Sequence, residues 1–430
     1  MSEANITVID AIMGSGKTTH MMNHINKTQM DYLVSESQEA PKYIYITMYL
    51  DEVKRVIGHC PALQFTEPQA IDGRKLNHLN QLIAEGRNIA STHSLFKLIN
   101  RGTYDLLKEA GYTLVIDEAL DCVDLYESIT SDDLKNLFAL GMIYRDDKNC
   151  LRWDHEKFPR YQGKFQSFKD LCENGNLVYI RDTLLIWTMP TDFLELFNEV
   201  VVMTYLFEGS MMANYLKAQR VPYTSYSLDA DHRLIPIADR DETAVKAKLR
   251  DLIKVCMDPK LNAIGTPSGR TNPLSASWMK YQHTSKSRSL EVLKNNTYNF
   301  FMHKLDGSKS ADNMWTTFKE TKAKLTGKGY GKGFVSVNTK ATNAHIERKN
   351  LAYLANIFIH PEIEKFFKAR ECVADQDLFA LSEMIQWVWR SQIRRGDPIN
   401  LYVPSQRMRG LFLGWLNEGV EQAEDEPLAA

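Results

Sequence analysis

No two of the six cysteines (Cys60, Cys122, Cys150, Cys172, Cys256 and Cys372) stand as a Cys-x-x-Cys pair. A zinc ribbon and a disulfide framework are therefore not expected, and a reducing cytoplasm is the compartment implied. No stretch of eighteen apolar residues occurs, so neither a membrane span nor a membrane partner is expected. The N-terminal "MSEANITVID" is too short and too polar for a signal peptide. Net charge is only −2, which removes any global basic signature. A nucleic-acid partner must then be met by a local patch. No repeat of fixed period is present.

What is there is a chain of 430 residues, more than one ordinary core holds, so two or three domains are expected. "NITVIDAI" reads as a buried strand and "KTTHMMNHIN" as the helix after it. "KYIYITMY", "RNIASTHSLF" and "YTLVIDEAL" read as further strands, each separated from the next by a helical stretch. Strands alternating with helices imply a parallel sheet with right-handed crossovers. Residues 125 to 182 break that rhythm. They are charged, aromatic and read as mostly helical, so they are taken as an insertion. "EVVVMTYLFEG" restores a buried strand. Later, "AVKAKLRDLIKVC" reads as a helix, "FVSVN", "LANIFI" and "INLYVPS" as strands, and "RMRGLFLGWLNEGV" as an amphipathic helix. The acidic tail 419–430 reads as disordered.

The chemistry begins at "AIMGSGKTTH". Ala11, Gly14, Ser15, Gly16, Lys17 and Thr18 fit Ala-x-x-Gly-x-Gly-Lys-Thr after a strand and before a helix. Such glycines let backbone N–H groups wrap phosphates, and the helix N-terminus adds positive potential. Lys17 would reach the β- and γ-phosphates of ATP, Thr18 would hold Mg²⁺, and Thr19 would complete the binding turn. About one hundred residues on, "LVIDEAL" is an apolar strand ending in two carboxylates. Asp117 would bind Mg²⁺, and Glu118 would orient or deprotonate the attacking water. A glutamate next to that aspartate favours hydrolysis over phosphoryl transfer.

This order of motifs resembles the superfamily 2 (DExx-box) helicases and translocases. Ala-x-x-Gly-x-Gly-Lys-Thr is similar to their motif I, and "DEAL" to their DExx box. The phrases "WTTFK", "NTKATN" and "WRSQIRRG" resemble the compact helicases of tailed phages. The resemblance implies an α/β protein with two RecA-like parallel-sheet domains, an ATP cleft between them and a helical insertion in the first. It places domain one at 1–210, with the insertion at 125–182, and domain two at 211–418. Only ten residues precede Ala11, so an upstream glutamine motif that reads adenine is not expected.

Further site residues follow from the same resemblance. Thr47 in "YIYITMYLDEV" sits at motif Ia. Ser91, Thr92 and His93 in "ASTHSLF" sit in the turn that touches a nucleic-acid backbone. Thr204 in "VVMTYLFEGS" is the hydroxyl of motif III. Gln386, Arg390 and Arg394 resemble motif VI, whose arginines act on the γ-phosphate as fingers. On a helix these three share one face at i, i+4 and i+8. Trp389 replaces the family's glycine and the second arginine falls one residue late, so the finger is left open among Arg390, Arg394 and Arg395. Thr339, Lys340, Thr342 and Asn343 fall in the turn resembling motif V. Around them, residues 319–349 carry eight basic side chains (Lys319, Lys322, Lys324, Lys328, Lys332, Lys340, Arg348 and Lys349) against Glu320 and Glu347. That is a candidate phosphate track, with Trp315, Phe318 and Tyr330 as candidate stacking rings.

The function implied is an ATP-dependent DNA helicase or translocase in phage replication or recombination, working in the host cytoplasm. Its partners would be single-stranded or forked DNA, with RNA left open, and a replication protein. Two alternatives stand beside it: a packaging motor of the large terminase kind, and a nucleotide-dependent switch or loader that unwinds nothing.

Overall fold

The computed structural model describes residues 5–35, 40–71, 73–181, 184–190, 192–305, 307–337 and 343–419. These fall into two compact units. The first takes the chain as far as Ala238, apart from Ile12–Gly14, and adds His360–Ala374. The second holds Asp239–Ile359 and the chain from Asp375 on.

In chain order the strands of the first unit are β1 (Ile6–Asp10), β2 (Tyr43–Thr47), β3 (Ile89–Thr92), β4 (Thr113–Asp117), β5 (Val123–Leu125), β6 (Ile143–Arg145), β7 (Leu151–Trp153), β8 (Leu177–Ile180), β9 (Leu184–Thr188), β10 (Glu199–Thr204), β11 (Thr224–Leu228) and β12 (Leu234–Pro236). Seven form one sheet in the order β12-β11-β1-β10-β4-β2-β3. All its pairings are parallel except β11 with β12. Near-continuous apolar strands such as "TLVID" and "EVVVMT" suit a parallel sheet covered on both faces, and Leu114, Val115, Ile116, Val200 and Val202 are indeed buried. Each such side chain contributes about 1.5–3 kcal/mol relative to exposure.

The register matters for function. Asp10 stands level with Thr204, Met203 with Asp117, and Thr47 with Thr92. The candidate motifs therefore end along one line, the C-terminal edge of the sheet, where ligands of open α/β folds bind. The sheet also reaches past residue 210, where the sequence reading ends domain one, because Thr7 to Ile9 of β1 pair with Thr224 to Tyr226. The strand "TSYSL" escapes a hydrophobicity reading because only Ser227 in it is buried.

The insertion carries the helices Ser131–Ala139 and Gln166–Asn174. Two small antiparallel sheets not foreseen from its composition, β5-β9-β8 and β6-β7, are built here, and the first of them reaches past both ends of 125–182. Leu137, Trp153, Phe168, Cys172 and Leu177 give the insertion a core of its own.

The second unit is built on a parallel sheet in the order β13-β16-β15-β14, comprising β13 (Ile253–Val255), β14 (Asn313–Thr316), β15 (Asn350–Tyr353) and β16 (Ile399–Tyr402). Only β16 lies where "INLYVPS" places it. The helix expected over "AVKAKLRDLIKVC" stops at Leu252, and its last residues become β13. "FVSVN" contributes an isolated bridge from Phe334 to Trp315 rather than a strand. "LANIFI" follows β15 instead of forming it. The final helix spans Gln406–Asn417. Trp315 and Tyr330 are fully buried, edge to face at 5.4 Å, within the core of this unit. They are packing residues, not stacking platforms for bases, and Phe318 packs against the same cluster.

Candidate nucleotide site

The loop after β1 has the conformation its glycines allow. Gly14 and Gly16 have φ of 84° and 88°, the left-handed region that other residues enter at a cost. Gly16 is the N-cap of α1 (Lys17–Val34) and supplies no side-chain cap. The first-turn N–H groups of α1 are thus left for another acceptor. Ser15 Oγ is buried with no hydrogen-bond partner. An oxyanion-rich ligand such as a polyphosphate fits this arrangement. Lys17 is buried and donates from Nζ to the Ala11 carbonyl.

Beside it stands the end of β4. Thr18 Oγ1 donates to Asp117 Oδ2 at 3.2 Å, and Tyr45 Oη donates to the same oxygen at 3.2 Å. Burial, then the charges of Glu118 and Glu52, push the Asp117 carboxyl up to about 7, against the pull of Lys17. Carboxylates crowded in this way are the setting in which a divalent cation is favoured. Thr18 and Asp117 are the residues that could hold one. Glu118 has φ of 70°, rare for a residue with a side chain and typical of functional turns. Its N–H donates to the Met203 carbonyl at 2.9 Å, and its Oε2 accepts from Thr204 Oγ1 at 2.9 Å. The carboxylate is thereby aimed by the end of β10.

The structure brings Lys17, Thr18, Asp117, Glu118 and Thr204 together, and it corrects the part assigned to the last. Thr204 is 1% exposed and holds Glu118, so it is closed to a nucleic-acid strand. The side chains of Thr47, Ser91 and His93 are likewise buried, and Thr92 is half-buried. They end parallel strands or open the turn after β3. Thr19 is exposed on the first turn of α1. In the second unit, the helix bearing Gln386 ends at Val388. Arg390 lies in the turn after it, 2% exposed, and Arg394 belongs to the 3-10 turn Gln392–Arg395. The single face expected for Gln386, Arg390 and Arg394 therefore does not form. Arg395 is bound to Glu347 and Asp397, whereas exposed Arg394 has no ion pair among the described residues. Thr339, Lys340 and Thr342 lie outside the described residues, as do 420–430 of the tail. Asn343 opens a 3-10 turn, Asn343–His345.

Of the basic run, Lys319, Lys322, Lys324, Lys328 and Lys332 are exposed. Arg348 is taken up by the carbonyls of Ser310, Ala311 and Asn313, and Lys349 by Asp312.

Residues that the sequence reading passed over complete the site. Asp10 is buried and accepts from the N–H groups of Leu206 and Phe207 at 2.9 and 3.0 Å, tying the end of β1 to the turn after β10. Its one signal was an acid closing an apolar strand. Tyr45 gave only the hydroxyl of a tyrosine in a buried strand. His20 and His232 gave no signal. His232 Nδ1 lies 2.7 Å from the Ser15 carbonyl.

Comparison with known proteins fits this architecture. A family model for the YonV C-terminal Rossmann-like domain matches residues 247–416, and one for the YonV middle domain matches 123–187, a span that takes in the expected insertion. The "SPbeta prophage-derived uncharacterized protein YonV" of Bacillus subtilis (strain 168) is 37% identical over 426 residues, spanning 96% of this chain and 98% of its own. Among solved structures, "XPD_APO" aligns over 96% of this chain and 95% of its own, with a TM-score of 0.45 and 13% identity. Xpd4 of S. tokodaii aligns over 96% and 94%, with a TM-score of 0.42 and 13% identity. At that level these two assign the chain no activity. The YonV likeness, by contrast, runs almost from end to end of both sequences, and the protein described here belongs to the YonV family.

Proposed function

We propose that this protein is an ATP hydrolase that moves along single-stranded nucleic acid, with DNA as the track. One observation carries the reading: Thr18 and Asp117, ninety-nine residues apart, meet at 3.2 Å with Lys17 and Glu118 beside them. In this mechanism the N–H groups of the loop and of the first turn of α1 hold the phosphates. Lys17 turns from the Ala11 carbonyl to the β- and γ-phosphates. Thr18 and Asp117 would hold Mg²⁺, whose charge would offset that of the phosphate oxygens. Glu118, aimed by Thr204, takes the proton of the attacking water. The five exposed lysines between 319 and 332 supply phosphate contacts that ignore base sequence. The prophage origin of the YonV relative fits a role in phage DNA metabolism.

Single-stranded DNA is expected to raise the ATPase rate at least about tenfold at low salt, and the effect should fade as salt rises. A rate indifferent to DNA and RNA alike would overturn the motor while leaving the hydrolase. Strand displacement on substrates with either tail would then separate unwinding from simple movement.

The arginines divide by their burial. Arg394→Ala is expected to lower turnover about a hundredfold or more with the melting temperature unchanged, as loss of a γ-phosphate guanidinium does. Arg390→Ala should instead destabilise the second unit by about 2 kcal/mol, as removal of a buried, charged side chain does. Thermal melts and steady-state rates on the two variants decide. The reverse pattern would return the finger to Arg390.

A further inference from the structure

The sheet order places something beside the loop that the motifs do not mention. β1 lies between β10 on one side and β11 on the other, and β11 runs parallel to β1. The turn after β11 therefore leaves the same edge of the sheet as the loop after β1. That turn is built firmly: Asp229 Oδ1 accepts from the N–H groups of Asp231 and Arg233 at 2.9 and 2.8 Å. His232, at its tip, has φ of 61°. Its ring lies directly on the loop. A Cβ at position 16 would stand 2.5 Å from His232 Nδ1, so any side chain there would displace the ring. Nδ1 is 2.7 Å from the Ser15 carbonyl, and His20 Nδ1, on the first turn of α1, is 2.8 Å from the carbonyl of His232.

A carbonyl oxygen only accepts, so each Nδ1 carries the hydrogen. In the neutral rings each Nε2 then presents a lone pair. Two such acceptors suit O–H and N–H donors and repel phosphate oxygens. The direction of the sheet agrees. Asp117 and Glu118, at the end of β4, mark where the terminal phosphate lies in the reading above. β4 is on the β10 side of β1, so the other end of the ligand runs toward β11.

We propose that the tip of the β11–β12 hairpin is the nucleoside side of the triphosphate site, with His232 and His20 accepting hydrogen bonds from a ribose hydroxyl or a base amine. This rests on the nucleotide-site reading and adds what that site selects: a nucleoside polyphosphate over a bare polyphosphate. His232 is exposed, so its ring is open to a ligand without rearrangement of the core.

The test is equilibrium binding of ATP and of inorganic tripolyphosphate to the full chain by titration calorimetry. The variant is His232→Asn, because asparagine tolerates the left-handed backbone at this tip. It is expected to weaken ATP about tenfold while tripolyphosphate stays within about twofold. Equal losses for both ligands would make the hairpin a prop for the loop and overturn the proposal; so would no loss at all. His20→Ala, on the half-buried first turn of α1, is judged by the same pair of affinities if His232→Asn does not fold. Lys17→Ala separates the two levels. If the wild type binds neither ligand, or if Lys17→Ala binds both undiminished, the nucleotide site itself is wrong. If Lys17→Ala weakens both and His232→Asn neither, only the hairpin's role is wrong.

Discussion

Lys17→Ala is expected to remove ATP turnover, by about a thousandfold or more, while the protein stays folded. The ammonium is a positive charge beside Asp117 and, with the hydrogen bond from Tyr45, draws its carboxyl down from a burial-raised value. Without it the phosphates lose their one buried cation on the loop, and Asp117 is harder still to ionise. The structural loss is small by comparison. Lys17 opens α1, where alanine is a good helix former, and a hydrogen bond to Ala11 is worth about 1 kcal/mol. The check is a steady-state phosphate-release assay beside a thermal melt. A folded variant with wild-type turnover would overturn the role of this loop in binding and hydrolysing ATP.

Glu118→Gln should separate binding from hydrolysis. Glutamine has the shape of glutamate and still accepts from Thr204 Oγ1, so the turn with φ of 70° and its bond to Met203 are kept. What is lost is a base for the attacking water, which is expected to cost about 10²- to 10⁴-fold in turnover. Affinity for ATP should hold or rise, because one negative charge leaves the neighbourhood of Asp117 and the triphosphate. Calorimetry with ATP and a single-turnover assay read the two effects apart. Turnover near wild type would move the base elsewhere. Lost affinity would make Glu118 a structural residue of the turn.

The candidate residues differ in how they could be read. "GSGKT" and "DEAL" declare themselves because their chemistry requires a local backbone: glycines at positive φ, a helix start, a strand end. Motif-like residues farther on carry no such requirement. Thr204 resembles a nucleic-acid contact in sequence but is buried against Glu118, since only the pairing of β10 with β4 decides which neighbour its hydroxyl meets. Gln386, Arg390 and Arg394 have helical spacing, yet the helix ends at Val388 and the three do not share its surface. Trp315 and Tyr330 stand among lysines in the sequence and in the core of the folded unit. In the sequence β13 reads as the end of a helix, β14 gives no signal and β15 reads as a strand over the residues after it, because three or four residues give too little periodicity to distinguish a strand from its flanks.

From its sequence alone this protein was determined to carry an alternating α/β first half, a glycine-rich turn between a strand and a helix and an acidic strand end, because each follows from local backbone preference and hydrophobic pattern. The tertiary structure decided the rest. Sheet order and register, set by long-range pairing and burial rather than by any neighbouring residue, put Asp10, Thr204, Glu118 and Asp117 along one edge. The same pairing laid His232 on Ser15 from 217 positions away, a meeting that no local preference encodes.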